Sequence, residues 1–169
     1  FDEALAEVVH AQALDPLSAG LNANVGWTFY LAGQHGRAID ELLAVLARFP
    51  GNPMALLYVA LAYVEVGKLD EALRSLRTAS EVPGGMPFSA ESAGWVLGLA
   101  GRREEAGVEL SAALARAAGS YVPSSAIALL HLGLGNDGAL FEWLDRCVEE
   151  RDAMLPWFKF MPCFDRVRP

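Results

Sequence analysis

The chain has 169 residues, of which 53% are hydrophobic and 20% charged, a composition typical of folded proteins and not of disordered segments. Its 13 Lys and Arg residues against 21 Asp and Glu residues give a net charge of -8, which repels phosphate backbones and anionic lipids. Direct nucleic-acid binding is therefore disfavoured, and no apolar run is long enough for membrane insertion.

Two cysteines, Cys147 and Cys163, are too few for a disulfide framework and lack the spacing of metal ligands. A reducing compartment fits this usage best, so we expect a cytoplasmic protein. Cys147 falls on a predicted helix face that carries small packing residues in other copies of the repeat described next. A buried, inert thiol is expected there.

A short stretch of the chain recurs at a fixed distance. Residues 67–73 read GKLDEAL, residues 1–5 read FDEAL, and residues 101–106 read GRREEA. One period of 34 residues relates all three, and a period in this range is typical of solenoid proteins. Because the chain opens at Phe1 within a repeat, we expect it to be a fragment of a longer protein.

Several columns align when the chain is laid out at this period. A glycine column indicates helix ends, since glycine adopts the left-handed conformation that ends a helix; its members are Gly33, Gly67, Gly101 and Gly135. A column of small residues allows close helix packing and consists of Gly26, Ala60, Gly94 and Ala128. A third column holds Ala4, Ala38, Ala72 and Ala106, with Leu140 in the last copy.

Apolar residues at three- and four-residue spacing predict amphipathic helices between these columns. The predicted pairs are 19–32 with 36–48, 53–66 with 69–81, 88–100 with 103–117, and 123–134 with 138–150. Residues 1–14 are predicted to be the second helix of a pair whose first helix is missing, which leaves an open apolar edge. The Gly- and Pro-rich residues 82–87 are interpreted as a longer inter-repeat turn and not as a domain boundary.

These slots resemble the pattern of tetratricopeptide repeats, with a large and a small residue side by side, an aromatic, an alanine, another large residue and a closing proline. The first copy matches at Val25, Gly26, Phe29, Ala38, Leu42 and Pro50, and the second at Leu56, Val59, Ala60, Tyr63, Ala72 and Leu76. The resemblance implies an all-α fold, a right-handed superhelical array of antiparallel helix pairs. Its expected segments form a single array over 1–169, with a truncated repeat at 1–16, repeats at 17–50, 51–84, 85–118 and 119–150, and a capping segment at 151–169.

The last segment also resembles the closing segment of tetratricopeptide regions in bacterial signalling proteins and transcriptional regulators, although Met161 stands where that segment usually has an aspartate. A terminal repeat needs a cap for its exposed apolar face. The apolar residues expected to supply it are Leu155, Trp157, Phe158 and Phe160.

Residues 133–138 read GLGNDG and match the dinucleotide fingerprint by letter. That fingerprint requires a strand before the glycines, whereas a helix is predicted here, so nucleotide binding is disfavoured. The three histidines lie in different repeats without the spacing of metal ligands. We therefore predict no catalytic residue, no metal and no cofactor.

In tetratricopeptide arrays one face of each first helix lines the concave groove, and the resemblance places mostly apolar residues there. Trp27 and Trp95 have no obvious core to enter, because the packing slots already hold other large residues. An aromatic stripe at helical spacing is often part of the core, and this alternative stays open. The predicted partner-binding residues are Trp27, Tyr30, Leu57, Leu61 and Trp95.

The resulting hypothesis is a non-catalytic protein–protein interaction module that presents a mostly apolar groove to a peptide or helix. A dimerisation or spacer segment of a larger bacterial signalling protein is the alternative, and a homodimer is compatible with either. An enzyme is disfavoured, because no base, nucleophile or metal cluster converges at aligned positions of the repeat.

Overall fold

The computed structural model describes residues 1–83 and 88–168, and the regular elements within them are all helical. Each predicted helix boundary agrees with the structure to within one residue. The elements are α1 (Asp2–Leu14), α2 (Ala19–Leu31), α3 (His35–Arg48), α4 (Pro53–Glu65), α5 (Leu69–Glu81), α6 (Ser89–Leu99), α7 (Arg103–Ala117), α8 (Ser124–Leu134), α9 (Asp137–Glu150), the short α10 (Leu155–Phe158) and a 3-10 turn over Pro162–Val167.

Consecutive helices pack in adjacent pairs, α2 with α3, α4 with α5, α6 with α7, and α8 with α9. The described part of the chain contains no strand. The predicted all-α fold of paired, tetratricopeptide-like helices is therefore confirmed.

The turn inside each pair is built by the glycine column. Gly33, Gly67, Gly101 and Gly135 have φ between 71° and 76°, the left-handed region that side chains with a Cβ enter only at a cost. The same hydrogen bond closes all four turns; in the first, the Gln34 N–H donates to the Phe29 carbonyl over 2.9 Å. This is the helix-ending motif that the column predicted.

The two columns of small residues lie inside the helix pairs. Ala38, Ala72 and Ala106 have no exposed surface. Gly26 is buried against Leu42, whose side chain occupies the space that a Cβ on Gly26 would need. The small residues of the 34-residue pattern therefore lie at packing contacts where a larger side chain would not fit.

The chain divides into two compact units, Phe1–Pro87 and Phe88–Pro169, and each is described by itself. In the first unit α1 packs on α2, and α2 packs on α4. In the second unit α6 packs on α8, and α7 also contacts α8. The predicted inter-repeat turn at 82–87 falls in part on residues 84–87, which lie outside the described residues. The single array and its repeat boundaries stay a prediction.

Helix α1 has no buried residue, as expected for an open apolar edge. Its hydrogen bond to the rest of the first unit runs from Gln12 Nε2 to Asn22 Oδ1 over 3.0 Å. Phe1, Val9 and Leu14 are exposed. Helix α1 is therefore held mainly by its contact with α2.

The closing segment is tied to both ends of α8. Buried Asp152 accepts the Ser125 N–H over 2.9 Å and the Met154 N–H over 2.8 Å. Arg166 donates to the Leu132 carbonyl over 2.8 Å and to Asp137 Oδ1 over 3.0 Å. These bonds satisfy backbone groups that a helix end leaves unpaired. Of the four expected capping side chains, Leu155 and Phe158 are half-buried, whereas Trp157 and Phe160 are exposed. The buried apolar side chains of this segment are instead Met161 and Phe164.

Candidate functional site

Three aromatic rings form a continuous stack in the first unit. The ring of Trp27 in α2 lies 4.6 Å from that of Tyr58 in α4, with 23° between their planes. The ring of Tyr30, one turn further along α2, lies 5.1 Å from Trp27 with 19° between planes. Trp27 and Tyr58 are half-buried, whereas Tyr30 is fully buried. The stack thus links the first helices of two consecutive pairs and reaches the surface.

Burial favours the neutral forms of two titratable groups, one in the stack and one beside it. The ring of His35 lies 5.7 Å from that of Tyr30, and burial lowers the pKa of this imidazole. Burial also raises the pKa of the Tyr58 phenol. A neutral imidazole and a protonated phenol leave the cluster suited to contact with apolar or planar groups.

Two apolar residues lie one turn from the half-buried rings, at the spacing that puts them on the same helix faces. Leu31 lies one turn after Trp27 on α2, Met54 lies one turn before Tyr58 on α4, and both are half-buried. We call the four residues Trp27, Leu31, Met54 and Tyr58 the aromatic face. Helix α2 carries no charged residue, and Glu65 is the single charged residue of α4.

Trp27 is the one residue of this face among the predicted partner-binding residues, and Tyr58 is the aromatic residue that the sequence pattern missed. Leu61 is the residue one 34-residue period after Trp27, and Tyr58 lies three positions before Leu61. On neighbouring helices, such an offset of about one turn lets long aromatic side chains meet diagonally. A search for aromatic pairs offset by one turn from the repeat would have identified Tyr58.

The structure brings Trp27 and Tyr30 together but encloses most of the predicted partner-binding residues. Tyr30 is 0% exposed, Leu57 7%, Leu61 5% and Trp95 2%. Trp95 lies in the second unit, on α6. The binding role of these residues stays a prediction, and among them Trp27 offers the most accessible side chain.

The expectation that Trp95 has no core to enter is wrong. Helices α6 and α8 approach closely beside it, because Gly98 and Gly133 have no side chains at the crossing. A Cβ on Gly98 would lie 2.5 Å from the Gly133 carbonyl carbon. Gly133 also lies against the Trp95 main chain, and the Trp95 side chain is 2% exposed, so the indole belongs to the core.

Other candidate groups have structural roles. Cys147 is fully buried, and burial, followed by the charges of Asp152 and Glu150, raises the pKa of its thiol to about 12, as expected for an inert thiol. His131 is buried as well, and burial lowers the pKa of its imidazole. Gly133 lies inside α8 and Gly138 inside α9, so no strand leads into these glycines and the dinucleotide interpretation is not supported.

Within residues 1–83 and 88–168, no three His, Cys, Asp or Glu side chains are grouped as a metal site would require. Across the same residues, no helix has the length and apolar character needed to cross a membrane.

A comparison with solved structures relates this fold to a known one. The chain is similar to the crystal structure of a tetratricopeptide repeat protein from Parabacteroides merdae, with a TM-score of 0.58 and 17% sequence identity over 87% of this chain. It spans 59% of the length of that protein. No family model matches the chain, and no curated protein matches it. The likeness shows a tetratricopeptide-like helical-repeat fold, as the sequence predicted.

Proposed function

We propose that this chain is a non-catalytic interaction module that binds a peptide or helix of another protein through the aromatic face. The observation that carries this function is the half-buried stack of Trp27 on Tyr58, which joins two consecutive first helices. Tryptophan and tyrosine are the residues most enriched at binding hot spots, because they bury a large area with little loss of conformational entropy.

One buried residue of the predicted site supports this face, because the Tyr30 ring stacks on Trp27. Leu57 and Leu61 are buried residues of α4, the helix that carries Tyr58. Rings held in place in this way lose little freedom when a partner binds, so more of the contact energy is retained as affinity. Trp95, at 2% exposure, is assigned to the core and not to the contact surface.

Selection from a random peptide library tests the proposed function, because it identifies peptides that bind the chain without assuming their sequence. A phage-displayed library of random 12-residue peptides is panned on the 169-residue chain, and the enriched peptides are synthesised and titrated. We expect Trp27→Ala and Tyr58→Ala to weaken binding at least tenfold, since each removes one ring of the face. The matched control is Phe141→Ala, which truncates a half-exposed ring on α9 and should leave affinity unchanged. Affinity that depends on Phe141 and not on Trp27 would overturn the assignment.

Self-association is the second candidate function, and the exposed residues of α1 favour it. Leu14 and the neighbouring Leu17 are each 76% exposed, an unusual placement for two leucines that close a helix and its following turn. Light scattering at increasing protein concentration distinguishes the candidates. A stable dimer that is lost in Leu14→Asp would support self-association, whereas a monomer at all concentrations would exclude it.

A further inference from the structure

Arginine side chains cover aromatic rings at several places in this chain. The Arg37 Cζ atom lies 4.1 Å from the centroid of the Phe29 ring, and the Arg146 Cζ atom lies 4.4 Å from that of Trp143. A third arginine, Arg48, lies 5.4 Å from the Phe49 centroid. The two lysine contacts of this kind in the described residues measure 5.8 Å. A planar guanidinium stacks on a ring face, whereas an ammonium is more strongly hydrated and stays farther away.

The charge distribution favours a cationic partner at the aromatic face. Residues 1–87 contain ten acidic and five basic side chains, a net charge of -5. The five basic residues lie on α3, on α5, or at Lys68 just before α5. Helices α2 and α4, which carry the aromatic face, have no basic residue. An incoming cation is attracted by the unit as a whole and meets no like charge on these two helices.

We propose that the aromatic face binds an arginine-bearing peptide segment, with one guanidinium stacking on the face of the half-buried Tyr58 ring that is turned away from Trp27. This specificity rests on the function proposed above and names the chemistry of the partner. Leu31 and Met54 contact the aliphatic stem of the arginine or its neighbouring residues. An acidic peptide is repelled by the unit's net charge, and an uncharged apolar helix gains nothing from it.

The first test uses the peptides enriched on the 169-residue chain at 150 mM salt. We expect arginine to occur at least twice as often in them as in the unselected library. Replacing the critical arginine by lysine should weaken binding about three- to tenfold, and replacing it by glutamate should weaken it further, because only the guanidinium combines charge with a stacking plane.

The second test changes the charge of the face and keeps the side-chain length similar. Met54→Lys places a cation one turn from Tyr58, and Met54→Glu places an anion at the same position. We expect the Met54→Lys variant to bind an arginine peptide at least tenfold more weakly than the Met54→Glu variant. This difference in affinity should shrink as the salt concentration is raised. Thermal melts of both variants verify that the first unit remains folded.

The outcomes separate the specificity from the function on which it rests. Binding that requires Trp27 but is indifferent to arginine, or that favours acidic peptides, refutes the arginine specificity and leaves the peptide-binding function intact. If no enriched peptide depends on Trp27, both are wrong. Equal affinity of Met54→Lys and Met54→Glu for the arginine peptide also refutes the specificity.

Discussion

Gly133 of α8 lies against the main chain of Trp95 in α6, so closely that a Cβ at position 133 would fall 2.7 Å from the Trp95 Cα atom. Gly98, one turn further along α6, faces Gly133 in the same contact. Main-chain atoms cannot move aside as a flexible side chain can. The packing of α6 on α8 therefore depends on the absence of side chains at both glycines.

We predict that Gly133→Ala lowers the free energy of unfolding by about 1 to 3 kcal/mol, the range for overpacking. The loss is expected even though alanine is the better helix former. Gly107→Ala is the matched control, because a Cβ at this α7 position meets nothing within 4 Å. The control should stabilise by up to about 1 kcal/mol. Urea denaturation measures both, and equal effects would show that α6 and α8 do not meet at Gly133.

The two tryptophans should differ in how much each contributes to the stability of the fold. Trp95→Ala removes a side chain that is 2% exposed, so a loss of about 3 to 5 kcal/mol in unfolding free energy is expected. Trp27→Ala removes a half-buried ring and should cost about 1 to 2 kcal/mol, since part of its surface is already in water. Denaturant melts of both variants test this order. Similar losses for the two would place Trp27 in the core and remove it from the contact surface.

Asp152 is predicted to hold the start of α8 to the end of α9. Its carboxylate accepts two backbone N–H groups, from Ser125 and Met154. Asp152→Ala leaves these donors unsatisfied and should cost about 1 to 3 kcal/mol of unfolding free energy. Asp145→Ala, at an exposed position of α9, is the control and should change stability by less than about 0.5 kcal/mol. The difference is measurable by thermal denaturation, and no difference would mean that water replaces Asp152 without cost.

The two cysteines should differ in reactivity. Because the pKa of buried Cys147 is raised to about 12, its thiol stays protonated at pH 8 and should react with a thiol reagent only after unfolding. Cys163 is half-exposed and should react in the folded protein. The folded pKa lies above the ordinary value of 9.0, so the stability linked to the neutral thiol is complete below pH 9.0 and is lost as the pH rises towards 12. Rapid labelling of both thiols at pH 8 would contradict the buried position of Cys147.

The helices and their turns could be predicted from the sequence because each copy repeats the same small set of constraints. Gly33 and its three equivalents indicate where the backbone takes the left-handed conformation, and Ala38 and its equivalents indicate where only a small side chain fits. These signals are local and recur at one period, so their agreement locates the ends of α1 to α9 to within one residue.

The site was harder to predict because it depends on departures from the repeat. Tyr58 meets Trp27 across an offset of one turn, which a column alignment does not show. Gly98 stands where the first two copies have Tyr30 and Val64, so the close main-chain contact beside Trp95 belongs to a single copy. Side-chain burial at such positions follows from helix separation, which no periodic pattern encodes.

The most direct test of the account is a map of where a selected peptide contacts the chain. Amide chemical shifts of the 15N-labelled protein are recorded while an enriched peptide is titrated to saturation. We predict that the largest changes cluster on α2 and α4, around Trp27, Leu31, Met54 and Tyr58, and that they disappear in Trp27→Ala. Changes that cluster instead on the exposed residues of α1 or around Phe141 and Val148 of α9 would contradict the assignment of the aromatic face as the binding surface.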